Sequence, residues 1–144
     1  MPPPDEFAAP HPQLQQDSHW LGTLGNCQLL LHRNASLPWF ILVPAGSYTG
    51  IEQLPDADAQ HVLRLVKHLS HFISSRYHSE KMNIASIGNL VDQLHIHVIG
   101  RRRDDCCWPL PIWGHLEHHG SYSSAEIVDL SLALEKRLHL IRRQ

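Results

Sequence analysis

Cysteine is scarce in this sequence of 144 residues, with only Cys27, Cys106 and Cys107. The count is odd, and the neighbours Cys106 and Cys107 are poorly placed for an ordinary bridge to each other, so reduced thiols are expected. Long apolar runs are also missing. None approaches the roughly 20 residues that span a bilayer. The Pro-rich start, with Pro at 2, 3, 4, 10 and 12, lacks the charged and apolar regions of a signal peptide. A cytoplasmic chain with no membrane partner is the expectation, in keeping with reduced thiols. A surplus of charge is lacking too: 12 Lys and Arg stand against 14 Asp and Glu, a formal net charge of -2. That balance gives no global attraction for a nucleic acid polymer or an anionic membrane, and leaves room for a small anionic ligand held by a local site.

Histidine is what the chain has in quantity, 13 in all. The most informative stretch is Asn89 to Arg101, Asn-Leu-Val-Asp-Gln-Leu-His-Ile-His-Val-Ile-Gly-Arg. From Gln93 to Ile99 polar and apolar residues alternate, the period of a strand with one face on a core and one open. Leu94, Ile96 and Val98 are expected to point inward. Gln93, His95 and His97 then line the other face about 7 Å apart, a spacing suited to gripping a phosphate. At this density about one His-x-His pair is expected by chance, so the spacing alone is weak. Its context makes it specific: Gly88-Asn89 shortly before, apolar residues at alternate places, and a basic run after.

Those residues resemble the signature of the histidine-triad (HIT) family, in which a Gly-Gln-x-Val-x segment leads into His-x-His-x-His and two apolar residues. The resemblance puts the family's nucleophile, the middle His, at His95, the third His at His97 and the Gly-Gln pair at Gly88-Asn89. Gln93 replaces the first His. Asn34 through Pro44 also resembles the early HIT hairpin, where Pro-Gly-His precedes an apolar strand; the triplet here is Pro38-Trp39-Phe40, so Phe40 replaces a second His. The two losses fit together if those histidines normally support each other.

Elsewhere the pattern of residues must serve alone. Residues 1–17 read as an N-terminal Pro-rich arm with room for a helical turn from Leu14 to Ser18, and 18–144 as a single domain. His19 to Gly22 leads into a first strand. Cys27 to His32 and Phe40 to Pro44 are apolar runs around a turn cluster, hence a hairpin. From Asp56 to Tyr77, Val62, Leu65, Val66, Leu69 and Phe72 or Ile73 share one helical face, with His61, His68 and His71 on a solvated one. Met82 to Ile87 is a short strand. Arg101, Arg102 and Arg103, followed by Asp104 and Asp105, read as mutually neutralised surface. Cys106 to Gly114 reads as an ordered loop, with His115, His118 and His119 beyond it. Because Cys106 and Cys107 are adjacent rather than spaced as a Cys-x2-Cys pair, no metal is expected. Ser123 and Glu126 have the spacing of a capping box, and Ile127, Leu130, Leu134, Leu138 and Ile141 continue at helical spacing up to Arg142 and Arg143.

Strands and helices do not alternate as β-α-β units, so the fold class is α+β: a five-stranded antiparallel sheet with two main helices. The HIT resemblance implies the same architecture and a homodimer. A neutral imidazole at His95 is available near pH 7 to attack an α-phosphorus, giving a nucleotidyl-histidine intermediate. Charge built on the phosphoryl oxygens needs donors, for which Asn89, a protonated His97 and backbone amides are the candidates. Such chemistry calls for no metal or cofactor. Gln93, Gly88 and Asn34 are the candidate substrate-binding residues, Gln93 ordering the pocket without proton transfer and Asn34 contacting a ribose. The expected function is hydrolysis at the α-phosphate of a nucleoside polyphosphate, such as a diadenosine polyphosphate, or of a phosphoramidate. Two alternatives stay open: a nucleotidyl transferase, and a non-catalytic nucleotide-binding protein. Relatives that transfer tend to carry Gln at the third triad position, whereas His97 is retained.

Overall fold

The runs Cys27–His32 and Trp39–Pro44 offer little polar surface on either side, so both faces of each must be covered. In a computed structural model, which describes residues 7–142, they form β2 (Cys27–His32) and β3 (Trp39–Pro44), buried almost throughout. Around them lie α1 (Pro12–Asp17), β1 (Ser18–Leu24), α2 (Asp56–Tyr77), β4 (Lys81–Ala85), β5 (Ile96–Arg101) and α3 (Ser124–Leu138). The five strands make one sheet in the order β1-β2-β3-β5-β4, every pair antiparallel. This is the α+β architecture expected, with α2 and α3 as its two main helices. Among the described residues no helix is long and apolar enough to cross a membrane.

Period 2 in the strands sorts the core into two layers. On one side Leu29, Leu31, Phe40, Leu42, Ile96 and Val98 meet Val62, Leu65, Val66, Leu69, Phe72 and Ile73 of α2, with Leu130 and Leu134 of α3. On the other, Leu30, Trp39, Ile41, Val43 and Ile99 are covered by Leu14 of α1, by Val91, and by Cys107 and Ile112 of the loop after β5. The signature strand therefore has no open face: β5 is buried at all six positions. It is also shorter than the alternation suggested, starting at Ile96 rather than Gln93. Pairing with β3 ends at Leu42 and Ile96, and the Leu94 amide donates instead to the Tyr48 carbonyl at 2.9 Å.

The ends of the chain are tied to the sheet. Ser123 Oγ accepts from the Glu126 amide (3.1 Å) and the Glu126 carboxylate from the Ser123 amide (3.0 Å), closing the capping box that opens α3, an arrangement that contributes about 1 kcal/mol. α3 stops at Leu138 because His139 takes a left-handed conformation (φ 61). Ile141, read from spacing as the next turn of that helix, instead exchanges backbone hydrogen bonds with Thr23. Gly22 permits this approach, since a Cβ there would collide with the Ile141 carbonyl oxygen. Arg143 and the first six residues of the Pro-rich arm lie outside the described residues. Residues 8–11 are held by side chains of the sheet and its loops: Gln28 Nε2 donates to the Ala8 carbonyl at 2.7 Å, and Gln93 contacts Ala9 and His11.

Candidate active site

Position 95 falls at the end of the loop from β4 to β5, one residue before the ladder begins. Its neighbours Leu94 and Ile96 are both buried in the helix-side core, which fixes the chain on either side of the ring. The Nδ1 atom of His95 lies 2.7 Å from the Gln93 carbonyl oxygen. A carbonyl only accepts, so Nδ1 carries the proton and Nε2 holds a free lone pair.

His97 follows on the same face, its ring centroid 5.0 Å from that of His95 with the planes at 74°. Trp39 Nε1 donates to His97 Nδ1 at 2.9 Å. Indole has no acceptor, so His97 bears its proton on Nε2. The two rings thus present complementary atoms, a lone pair on one and an N–H on the other. Burial, then the neighbouring His95 and His32, push the His97 pKa down to about 3. The protonated His97 expected from sequence is therefore corrected: it is a neutral donor near pH 7, because its side chain is enclosed by aromatic rings rather than by carboxylates. Trp39 stacks on His32 with centroids 3.6 Å apart and planes 3° apart, and Trp113 stands edge-on to His97 at 5.0 Å. Burial lowers the His32 pKa against the pull of Asp17, and its Nδ1 accepts from the Asn34 amide at 3.1 Å.

Trp113 reaches His97 from the loop after β5, and Arg101 anchors that loop. Read from sequence as surface, Arg101 is instead among the most buried residues, its side chain 1% exposed, because it follows His97 and Ile99 on the inward face. Its guanidinium forks onto Asp105 (2.8 and 3.1 Å), donates to Asn83 Oδ1 (2.9 Å), and lies 5.6 Å from the Trp108 ring centroid. Burial pushes the Asp105 carboxyl up, but hydrogen bonds from Arg101 and from the amides of Arg102 and Cys107 outweigh it and hold its pKa below the usual range. Arg102 and Arg103 do lie on the surface, paired with Asp104 and Glu80.

Of the other residues singled out from sequence, Gln93 meets His95 through its backbone carbonyl, while its side chain turns to the arm: Oε1 accepts from the His11 amide (2.6 Å) and Nε2 donates to the Ala9 carbonyl (3.2 Å). Gly88, at φ +66, and the exposed Asn89 lie in the β4–β5 loop that delivers His95, and Asn89 makes no hydrogen bond among the described residues. Asn34 is not brought to the pair. Its Nδ2 donates to the His118 carbonyl and its Oδ1 accepts from Ser36 and the Gly120 amide, which locks the hairpin turn. Phe40, opposite Val98, is fully buried toward α2, whereas the Gln93 side chain turns to the arm. Trp39, His32 and Trp113 were not singled out as site residues. Strand parity was the available signal for Trp39, which shares the face of Ile41 and Val43 and sits diagonally from His97. Among the described residues no three His, Cys, Asp or Glu converge as a metal-holding group.

The model of the HIT domain matches residues 13–104. The chain is similar to three solved histidine-triad proteins. One, from Marinobacter aquaeolei VT8, is 34% identical over 93% of this chain and 97% of that one, with a TM-score of 0.84. Another, from Sinorhizobium meliloti 1021, is 30% identical over 93% and 98%, with a TM-score of 0.85. The third, from Bradyrhizobium japonicum, is 29% identical over 92% and 98%, with a TM-score of 0.84. No curated protein matches the chain.

Proposed function

Since the chain belongs to the histidine-triad (HIT) family, we propose that it is a nucleotidyl hydrolase that works through a covalent nucleotidyl-histidine at His95. The observation that carries this reading is the pair of Nδ1 contacts, His95 on the Gln93 carbonyl and His97 on the Trp39 indole, which leave a lone pair on His95 Nε2 and an N–H on His97 Nε2 in rings whose centroids are 5.0 Å apart.

In the first half-reaction His95 Nε2 attacks the α-phosphorus, forming the P–N bond as the bond to the leaving group breaks. The ring becomes cationic, and the Gln93 carbonyl at Nδ1–H stabilises that charge. His97 Nε2–H and the Asn89 amide donate to the phosphoryl oxygens, where negative charge grows. His97 gives a hydrogen bond and keeps its proton, since losing it would leave an imidazolate; the leaving group takes its proton from solvent. In the second half-reaction water attacks phosphorus, the P–N bond breaks, one water proton passes to solvent, and His95 returns neutral with a nucleoside monophosphate released. Gly88 supports the loop that carries Asn89. Substrates of this chemistry are dinucleoside polyphosphates and nucleoside phosphoramidates, and the working unit is a homodimer in the cytoplasm.

Incubation with dinucleoside polyphosphates, nucleoside phosphoramidates and adenylated amines tests the reading. Release of a nucleoside monophosphate from at least one class is expected. Tight binding without release from any of them would leave a nucleotide-binding protein instead, and transfer to an added acceptor in place of water would make it a transferase.

A further inference from the structure

The pair His95 and His97 works only if His97 shows an N–H, rather than a lone pair, to the phosphoryl oxygens. A neutral imidazole has two tautomers, and in the Nδ1–H form Nε2 would repel those oxygens. Something must therefore choose the tautomer and hold the ring. His95 cannot, since its Nδ1 is committed to the Gln93 carbonyl. Gln93 cannot, since both ends of its amide hold the arm. Phe40 has no polar atom and faces α2. What remains is Trp39.

We propose that Trp39 is the positioning residue of this site, its indole N–H fixing His97 in the Nε2–H form and at a set angle to His95. The proposal rests on the assignment of His95 and His97 as the reacting pair. Trp39 suits the task because it is itself immobilised. It is 9% exposed, its face lies flat on His32, and its edge region meets Trp113 with centroids 6.3 Å apart and planes at 86°. His32 in turn is held by the Asn34 amide, and Asn34 by Ser36, His118 and Gly120. A chain of contacts thus runs from the hairpin turn to the reacting atoms. With Gln at position 93, where the triad pattern has an imidazole, the indole supplies His97 with a support of another kind. Unlike an imidazole, it cannot change tautomer or titrate, so the donor at His97 Nδ1 is permanent. The titratable groups facing His97 are His95 and His32, neither a carboxylate.

The test is spectroscopic and needs no substrate. In protein carrying nitrogen-15 histidine, long-range proton–nitrogen spectra distinguish the tautomers, and the signal missing from His97→Gln identifies His97. Wild-type protein should show His97 protonated at Nε2 alone, unchanged from pH 8 to pH 5. Trp39→Phe keeps a ring against His32 but loses the N–H; His97 should then show a mixture of tautomers, with kcat lower by roughly 10 to 100-fold and KM changed less. A wild-type His97 protonated at Nδ1 would overturn the proposal even if the variant did not fold. So would a folded Trp39→Phe protein with unaltered tautomer and kcat. An Nε2–H His97 in a protein that cleaves no nucleotide supports the positioning by Trp39 and refutes the reaction.

Discussion

The two faces of the sheet are built from different chemistry. Toward α2 and α3 the contacts are aliphatic and aromatic, supplied by one stripe of a 22-residue helix and a shorter second helix. Toward α1 and the loop after β5, the buried layer includes His95, His97, Gln28 and Arg101, each with a named hydrogen-bond partner, and irregular chain covers it. Apolar burial does not depend on direction, so the first face tolerates repacking. Buried polar groups must keep their partners, so the second is specified atom by atom.

Removing one partner on each face tests that contrast. Asp105→Ala leaves the Arg101 guanidinium buried and unpaired and should cost about 3–5 kcal/mol, read by urea unfolding. Leu69→Ala, on the helix side, should cost about 2–5 kcal/mol. Their effects on turnover should differ: per folded molecule Leu69→Ala keeps kcat, whereas Asp105→Ala lowers it because the loop carrying Trp113 loses its anchor. Equal kcat in both would remove the link between that loop and the site.

This contrast also explains which parts of the molecule the sequence disclosed. The stripe from Val62 to Ile73 repeats at the helical period, and a regular helix on a regular sheet leaves that signature in composition alone. The alternation from Gln93 to Ile99 marked one face for the core, but showed neither that the other is covered as well nor which residues join the ladder; the latter depended on Tyr48, a residue 46 positions before Leu94, taking the Leu94 amide. Arg101 looked like its neighbours Arg102 and Arg103. Only its parity with His97 and Ile99, together with a carboxylate four residues on, separates it from them. Asn34 was itself the expected ribose contact, yet turn formation claims its side chain, a local competition that spacing does not reveal. Trp39 was hidden for the opposite reason, since it acts across strands.

On the site face, smaller changes should alter rate rather than stability. Asn89→Ala should lower kcat by roughly 10 to 1,000-fold with KM changed less, the pattern of a donor that acts on developing charge. A rise in KM alone would make Asn89 an ordinary binding group.

The site face should also make stability depend on pH. Unfolded, His97 titrates near 6.5; folded, it does so at about 3. Between those values the unfolded chain binds a proton that the native chain does not, so stability falls as pH drops from about 6.5 toward 3. His32, also lowered, acts in the same direction. Urea unfolding at stepped pH should show this slope, and His97→Gln should flatten it; an unchanged slope would mean that His97 is protonated in the fold.

Gln93→Ala should have the smallest effect, roughly 0.5–1.5 kcal/mol for each of the two hydrogen bonds that its side chain makes to the arm. Its backbone carbonyl remains, so formation of a covalent intermediate should persist. Loss of the intermediate would show that the side chain, and not only the carbonyl, serves His95.

The central claim is that the site face carries a nucleophile at His95. Rapid quench without acid during turnover, followed by peptide mass spectrometry, locates any bound nucleotide. The account predicts a nucleoside monophosphate adduct on His95, absent from His95→Gly together with nearly all turnover, and still formed, more slowly, in His97→Gly. An adduct on His97, or full activity without His95, would contradict it.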